Sequence, residues 1–558
     1  MVLSAVEDTL REQGATEFTP TAYFVALLSL LPQSISPTKI VDQALAASIV
    51  YLLDLVTPFC PPALLRSKFV QILVNLAPAL TNSEAEAPLL RPSIGCLESL
   101  LLAQDSPAWA VPQKDIGARR ALAGLLNLGL DDRPKVRKRA QEAIAKVLKT
   151  PPLSPSLDHP AIEMCAVATL GYVVDMVKNG NQKHGQHDPR LIHAIQLVHA
   201  VSAGGGWPSS KIEGLVEVLL NISRSSNEFL TMAAFNVFEA IFASVMDEAT
   251  GAKLPRIIDV GTKIHPVFES TMLTVDFQAI FELRPSQNDS QLLPPWQAVM
   301  ARGFEVYATL EPEAAFHKLP ALYSMVSSFL ESGAHNIRTS SSQCLISLIA
   351  NCIPDKVILG PDTEEELVLI AQSTTSLLNV RYQGAWSEVF ETIAALFDRL
   401  RWKSHPIMND IVRTIGDLRA NEGFQGKKEA DVVLGHAVQA MGPEAVLQIL
   451  PLNLAKPKAG QPGRAWLLPI LRDYTANTNL SHFLSEMVPL SEVMFQRILE
   501  HGDAEKTMEI KIFETIIQQV WSILPGYCTV PLDLAEVYKP FSFFFSSVLQ
   551  RRKLSQPI

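Results

Sequence analysis

Residues 131–149 read DDRPKVRKRAQEAIAKVLK, a strongly basic stretch inside a chain of formal net charge −10. From Pro134 the spacing predicts one helix. Val136, Ala140, Ala143, Ile144, Val147 and Leu148 recur at the interval that builds a single buried face. Proline suits the first helical position, where a backbone N–H would have no partner anyway, and Asp132 is placed to cap the free amides. Opposite the apolar stripe a helical wheel gathers Lys135, Lys138, Arg139, Lys146 and Lys149, with Glu142 among them. Arg137 is set apart, at the border of the buried face. The segment therefore offers a packing face, a basic solvent face and one flanking arginine.

Working outward, the chain has 558 residues, of which 48% are apolar and 19% charged, enough for several domains or one long repeat array. That composition excludes a disordered polyelectrolyte. Cys60, Cys96, Cys165, Cys344, Cys352 and Cys528 are scattered without a CxxC pair, and are read as reduced core thiols of an intracellular protein. The best membrane candidate, Ala44–Val56, contains Asp54 and falls short of the roughly 20 residues that a span needs. Residues 1–11 carry Glu7 and Asp8 and no apolar run, so no secretory signal is read there. A soluble protein with no membrane partner is expected. An acidic chain is not a general nucleic-acid coat, though it can bind nucleic acid locally.

Nearly every segment between breakers has helical periodicity: 21–31, 39–56, 63–76, 94–103, 116–130, 134–149, 161–178, 189–201, 211–223 and 228–246. Convincing strand or hairpin signals are missing. Short helices joined by short links over this length predict an all-α superhelical solenoid, with units at 1–290 and 291–558. An apolar quartet recurs as Leu65/Phe69/Ile72/Leu73, Val136/Ala140/Ala143/Ile144, Leu230/Ala234/Val237/Phe238, Ile337/Ser341/Cys344/Leu345 and Tyr382/Trp386/Val389/Phe390. In three copies an arginine follows the first member: Arg66, Arg137 and Arg338. This resembles HEAT or armadillo-like repeats, in which an Asp and a Val-Arg pair lie in the second-helix region. That resemblance implies a structural ladder between neighbouring repeats through Asp131 and Arg137. The alternative is a solvent-exposed Arg137 on an unrelated helix.

Catalytic constellations are missing. Gly426-Lys427-Lys428 lacks the upstream glycine and the hydroxyl residue of a phosphate loop. Gly204-Gly205-Gly206 follows no strand and reads as a loop hinge. His184, His187 and Asp188 lie in a polar loop without a second ligand pair, so no metal is expected. A non-enzymatic protein without cofactor or small-molecule substrate follows. The binding candidates are Lys135, Lys138, Arg139, Lys146 and Lys149, enlarged by Arg119 and Arg120 of the preceding helix. Such a face can meet phosphates of RNA or an acidic protein, and it can equally be a solvated helix face. No aromatic residue interrupts it, so base stacking is not suggested.

Three later passages add an identity: GPEAVLQILPLNL at 442–454, GRAWLLPILRDY at 463–474 and KIFETIIQQVWSILPGYCTVPLDL at 511–534. With RPKVRKRAQEAI at 133–144 they resemble the Rrp12 family of ribosomal RNA-processing proteins, which carries HEAT repeats and a NUC173 domain. The opening, SAVEDTLREQ, is similar to the filamentous-fungal form. The resemblance implies a scaffold of the nucleolus and nucleus that shuttles to the cytoplasm. It implies binding to pre-ribosomal RNA and small-subunit assembly proteins in the 90S and pre-40S particles, and help in nuclear export. Karyopherin-like traits, with Ran and nucleoporins as partners, are the alternative. Family members are longer, so an N-terminal portion, shortened at both ends, is implied. In the second half, Trp466, Trp521 and the Leu468-Pro469 and Leu524-Pro525 steps read as packing and curvature elements.

Overall fold

A computed structural model describes residues 2–12, 18–36, 39–82, 84–154, 158–182, 190–205, 207–208, 211–224, 227–250, 280–361, 364–455, 463–502 and 507–537. The His184–Asp188 loop lies outside them. The described residues are overwhelmingly helical. The exception is a two-residue antiparallel pair, Ile35↔Ile40 and Ser36↔Lys39, which the sequence did not signal.

The chain divides into two units, Met1–Pro285 with Ala298–Val306, and Ser286–Gln297 with Tyr307–Ile558. In the first, helical hairpins follow one another: α2 (Pro20–Ser34) with α3 (Gln43–Val56), α4 (Pro62–Thr81) with α5 (Ala87–Leu102), α7 (Ala118–Leu128) with α8 (Pro134–Lys149), α9 (Ile162–Gln182) with α10 (Arg190–Gly205), and α11 (Ile212–Ser223) with α12 (Glu228–Thr250). Before them stands α1 (Val2–Glu12), and α6 (Ser106–Ala110) is a single turn. The second helices, α3, α5, α8, α10 and α12, stack directly on one another, whereas the first helices meet sparsely. The second-helix layer is thus the tightly packed side of this unit.

The other unit repeats the theme. His335–Cys352, Trp386–Leu400 and Lys427–Ile449 stack in succession, and Asn409–Ala420 packs on the last of them. Met508–Tyr527 closes the stack against Leu467–Tyr474 and Val488–His501. Polar contacts between neighbouring hairpins span one repeat of sequence: Glu98 to Arg139 over 41 residues, Ser342 to the Glu388 carbonyl over 46 and Tyr323 to Thr374 over 51. These intervals bracket the length of a HEAT repeat. Both units are all-α solenoid stacks.

Prolines end fewer helices than the sequence suggested. Helices α2, α4 and α5 run through Pro32, Pro78 and Pro92, because packing against neighbours compensates each lost amide bond. Running through Pro78 makes α4 20 residues long, so it is apolar and long enough to cross a membrane by length and composition. It nevertheless carries Arg66 and Lys68 and buries Leu65, Phe69, Ile72 and Leu76 in the stack. Gly204 lies within α10, not in a loop hinge. Five cysteines are buried; Cys528 is exposed, against the expectation of a core thiol.

Among the second-half features, Gly442 takes φ +85° and breaks the Lys427–Ile449 helix ahead of Pro443. Trp521 Nε1 donates to Ser491 Oγ at 2.9 Å, and Arg419 lies over the Trp466 ring at 5.0 Å.

Candidate nucleic-acid interface

Helix α8 has the predicted bounds, and Val136, Ala140, Ala143, Ile144, Val147 and Leu148 are all buried. Burying its four larger aliphatic side chains anchors the helix at about 1.5–3 kcal/mol each. Lys146 and Lys149 occupy the last turn, where cations suit the helix dipole.

The entry to the helix differs from the sequence reading. Asp132 makes no cap; the residue at the N-cap is Arg133, without a side-chain cap bond. Asp131 does the local work instead. Its Oδ1 accepts the Arg133 backbone N–H at 2.8 Å, and both carboxylate oxygens accept from the Arg133 guanidinium at 2.9 and 2.7 Å. Those bonds hold the Asp131 carboxyl below the usual range. Arg133 also donates to the Ala85 carbonyl at 2.5 Å, tying this turn to the preceding hairpin. Arg137 Nη1 donates to the carbonyls of Asp131 at 2.8 Å and Asp132 at 3.3 Å. Asp131 and Arg137 are therefore structural, but as a local clamp on one turn, not a ladder between repeats. The hydrogen bonds of the carboxylate go to Arg133, and Arg137 acts on it only through its charge.

The basic face divides. Glu98 of α5 is 5% exposed, and its two oxygens accept from Arg139 Nη1 at 2.5 Å and Lys146 Nζ at 2.6 Å. Asp54 of α3 faces the same cluster. Its burial pushes its carboxyl above the ordinary range, while Arg139 and Lys146 oppose the shift. Arg119 Nε donates to the Trp109 carbonyl at 2.6 Å and its Nη2 to that of Pro160 at 3.2 Å, so it too is committed inside the fold. Lys135, Lys138, Lys149 and Arg120 are exposed, as is Lys146 despite its bond to Glu98. Among the described residues Lys135 and Lys149 have no ion pair, and Lys138 meets only Glu142, at 4.0 Å. Lys135, Lys138 and Lys149 share one sector of the wheel, spread over about 21 Å of helix.

Sequence reasoning missed Glu98. The signal was present: the one charged residue within the run IGCLESLLL.

Residues 1–201 match the family model described as "RRP12-like, N-terminal HEAT repeats", and residues 331–558 match "Ribosomal RNA-processing protein 12, HEAT repeats". The chain belongs to the ribosomal RNA-processing protein 12 family. Ribosomal RNA-processing protein 12 of Saccharomyces cerevisiae is 34% identical over 98% of this chain and 46% of its own length. The human RRP12-like protein is 27% identical over 96% of this chain and 40% of its own. The chain thus spans less than half the length of these family relatives. Among solved structures, Kap121p matches with a TM-score of 0.48 and 13% identity over 91% of this chain and 50% of that one. Yeast importin-beta matches with a TM-score of 0.45 and 11% identity over 98% and 62%.

Proposed function

We propose that this chain is a non-enzymatic scaffold in ribosomal RNA maturation, working in the nucleus and nucleolus on small-subunit precursors and accompanying them through export. Its relatives' names supply the process. The exposed row Lys135, Lys138 and Lys149, extended by Arg120, supplies the contact to pre-ribosomal RNA. The observation that carries this reading is the division of the α8 basic face. Glu98 takes up Arg139 and Lys146, while the outward lysines stay without comparable partners on a chain of net charge −10. Side chains without an internal role are available to phosphates.

The test reverses Lys135, Lys138 and Lys149 to glutamate and measures crosslinking to pre-ribosomal RNA across a salt series. The expected result is weaker association, with the logarithmic salt slope reduced by about 2, from roughly 0.7 per lost single-strand contact. Unchanged crosslinking removes α8 from the mechanism. Loss of no RNA contact together with GTP-dependent capture of Ran by the same variant favours the transport-adaptor reading instead.

A further inference from the structure

A second site lies in the other unit and is independent of α8. Between the turn Val380–Ala385 that leads into Trp386–Leu400, and residues 421–426 that join Asn409–Ala420 to Lys427–Ile449, there is a cleft of about 540 Å³. Its floor is aromatic. The Trp386 ring stacks near Phe390 with centroids 6.4 Å apart, and Phe424 closes on Trp386 at 5.1 Å and on Phe390 at 6.3 Å. Gly426 permits this closure, since a Cβ there would lie 2.9 Å from Phe424 Cζ. The rim carries the exposed amides Gln383, Asn421 and Gln425 and the carboxylate Glu429. Asn421 Oδ1 is engaged by the Gly423 N–H at 3.0 Å, which leaves its NH₂ as a donor.

Two features point to an occupant. Trp386 Nε1 is buried and has no hydrogen-bond partner among the described residues. An orphaned donor of this kind costs about 1–3 kcal/mol, and only ring packing fixes the indole. Glu429 is also the single formal charge among the lining residues, the neighbouring Lys427 and Lys428 not being among them. A nucleotide stacked on these rings would bring its phosphate to a carboxylate with no cation in the lining. A peptide meets no such conflict. Amide side chains can pair with its main chain, ring faces attract a cation, and Glu429 completes the charge.

We propose that this cleft binds a short extended segment of a partner protein that carries a lysine or arginine, with the cationic side chain over the Trp386–Phe424 floor and directed to Glu429. A carbonyl of the segment accepts the Trp386 indole N–H once the ring tilts.

The test uses the 558-residue chain with its seven tryptophans replaced by 5-fluorotryptophan, and Trp386→Phe to assign the resonance. The probe is the pentapeptide acetyl-Ala-Leu-Lys-Leu-Ala-amide, titrated to millimolar concentration. Its Glu-for-Lys counterpart and oligouridylate serve as comparisons. The expected result is a saturable shift of the Trp386 fluorine line with the lysine peptide alone, weakened at least about fivefold by Glu429→Gln. Glu429 is on the surface, so an unchanged melting profile of that variant separates lost binding from lost fold. No shift with the lysine peptide, or an equal one with the glutamate peptide, overturns the proposal. A shift with oligouridylate in place of the peptide reassigns the cleft to RNA and overturns it too.

Discussion

Arg139 of α8 donates from Nη1 to Oε2 of Glu98 on α5 at 2.5 Å, and that carboxylate side chain is only 6% exposed. A basic residue on the solvent side of one helix is thus part of the joint between two repeats. Breaking such a pair from the cationic side leaves a buried carboxylate short of a partner, which costs about 3–5 kcal/mol when no other cation remains. Lys146 does remain, at 2.6 Å from the other oxygen. Arg139→Ala is therefore expected at or below the low end of that range, and Arg139→Glu, which sets two carboxylates together, above it. Lys138→Glu should change stability by less than about 0.5 kcal/mol. Urea unfolding midpoints check the ordering. A wild-type midpoint for Arg139→Glu would return Arg139 to the binding face.

Arg137 and Arg338 repeat one device in the two units. Arg338 Nη1 donates to the carbonyls of Ser332 and Gly333, each at 3.1 Å, as Arg137 does to Asp131 and Asp132. Arg338 has an added charge: its Nε lies 3.4 Å from Glu388 Oε1, on a side chain 9% exposed. Arg137→Ala is expected to cost about 1–2 kcal/mol, the worth of a charged group's hydrogen bonds, and to leave RNA crosslinking intact. Arg338→Ala should cost more, about 3 kcal/mol, because among the described residues Glu388 would keep only the exposed His335 as an ion-pair partner, at 3.3 Å. Equal losses in chemical unfolding would show that Glu388 does not depend on Arg338.

Helix α8 was legible because periodicity alone fixes which side chains face inward, and Val136, Ala140, Ala143, Ile144, Val147 and Leu148 are buried at 0–1% exposure. What periodicity cannot supply is the partner. Nothing along α8 says that Glu98, 41 residues earlier, will take Arg139. Asp131 and Arg137 look complementary on paper, yet it is Arg133 that bonds the Asp131 carboxylate. The quartet beginning at Tyr382 misled for a local reason. Tyr382 lies in the turn Val380–Ala385, and the helix starts only at Trp386, which is left half-buried at the cleft. Pro92 appeared to stop α5, but α3 and α8 pack on both sides of that helix and hold it.

His159 gives the stability a pH dependence with a definite sign. It is 2% exposed, its Nδ1 accepts the Ala161 N–H at 3.1 Å, and its ring meets Trp109 edge-on at 4.4 Å. Burial first, then the Arg119 charge, pushes it down from 6.5 to about 4. The folded state holds the neutral ring while the unfolded chain protonates near 6.5, so the unfolded state binds more protons between these values. The stabilisation is complete above 6.5 and is lost as pH falls towards 4. A His159→Gln variant should therefore lose less stability than the parent over that window. Melting temperatures of the two chains across that range measure the difference, and parallel curves would mean that His159 does not contribute.

Gly204 of α10 lies tight against the backbone of α8. A Cβ there would stand 2.6 Å from the Ala145 carbonyl oxygen and 2.7 Å from its Cα. Both atoms belong to backbone, so no side chain can swing away and the two helices would have to separate. In isolation Gly→Ala in a helix gains about 1 kcal/mol, whereas overpacking of this kind costs about 1–3 kcal/mol. The clash is expected to win, and Gly204→Ala should lower the melting temperature. Gly171 of α9 is the matched control, since nothing lies within 4 Å of its added Cβ. Gly171→Ala should keep or raise the melting temperature. If Gly204→Ala stabilised the chain as much as Gly171→Ala, α8 and α10 would have room to part, and the tight stacking of the second-helix layer would not constrain this position.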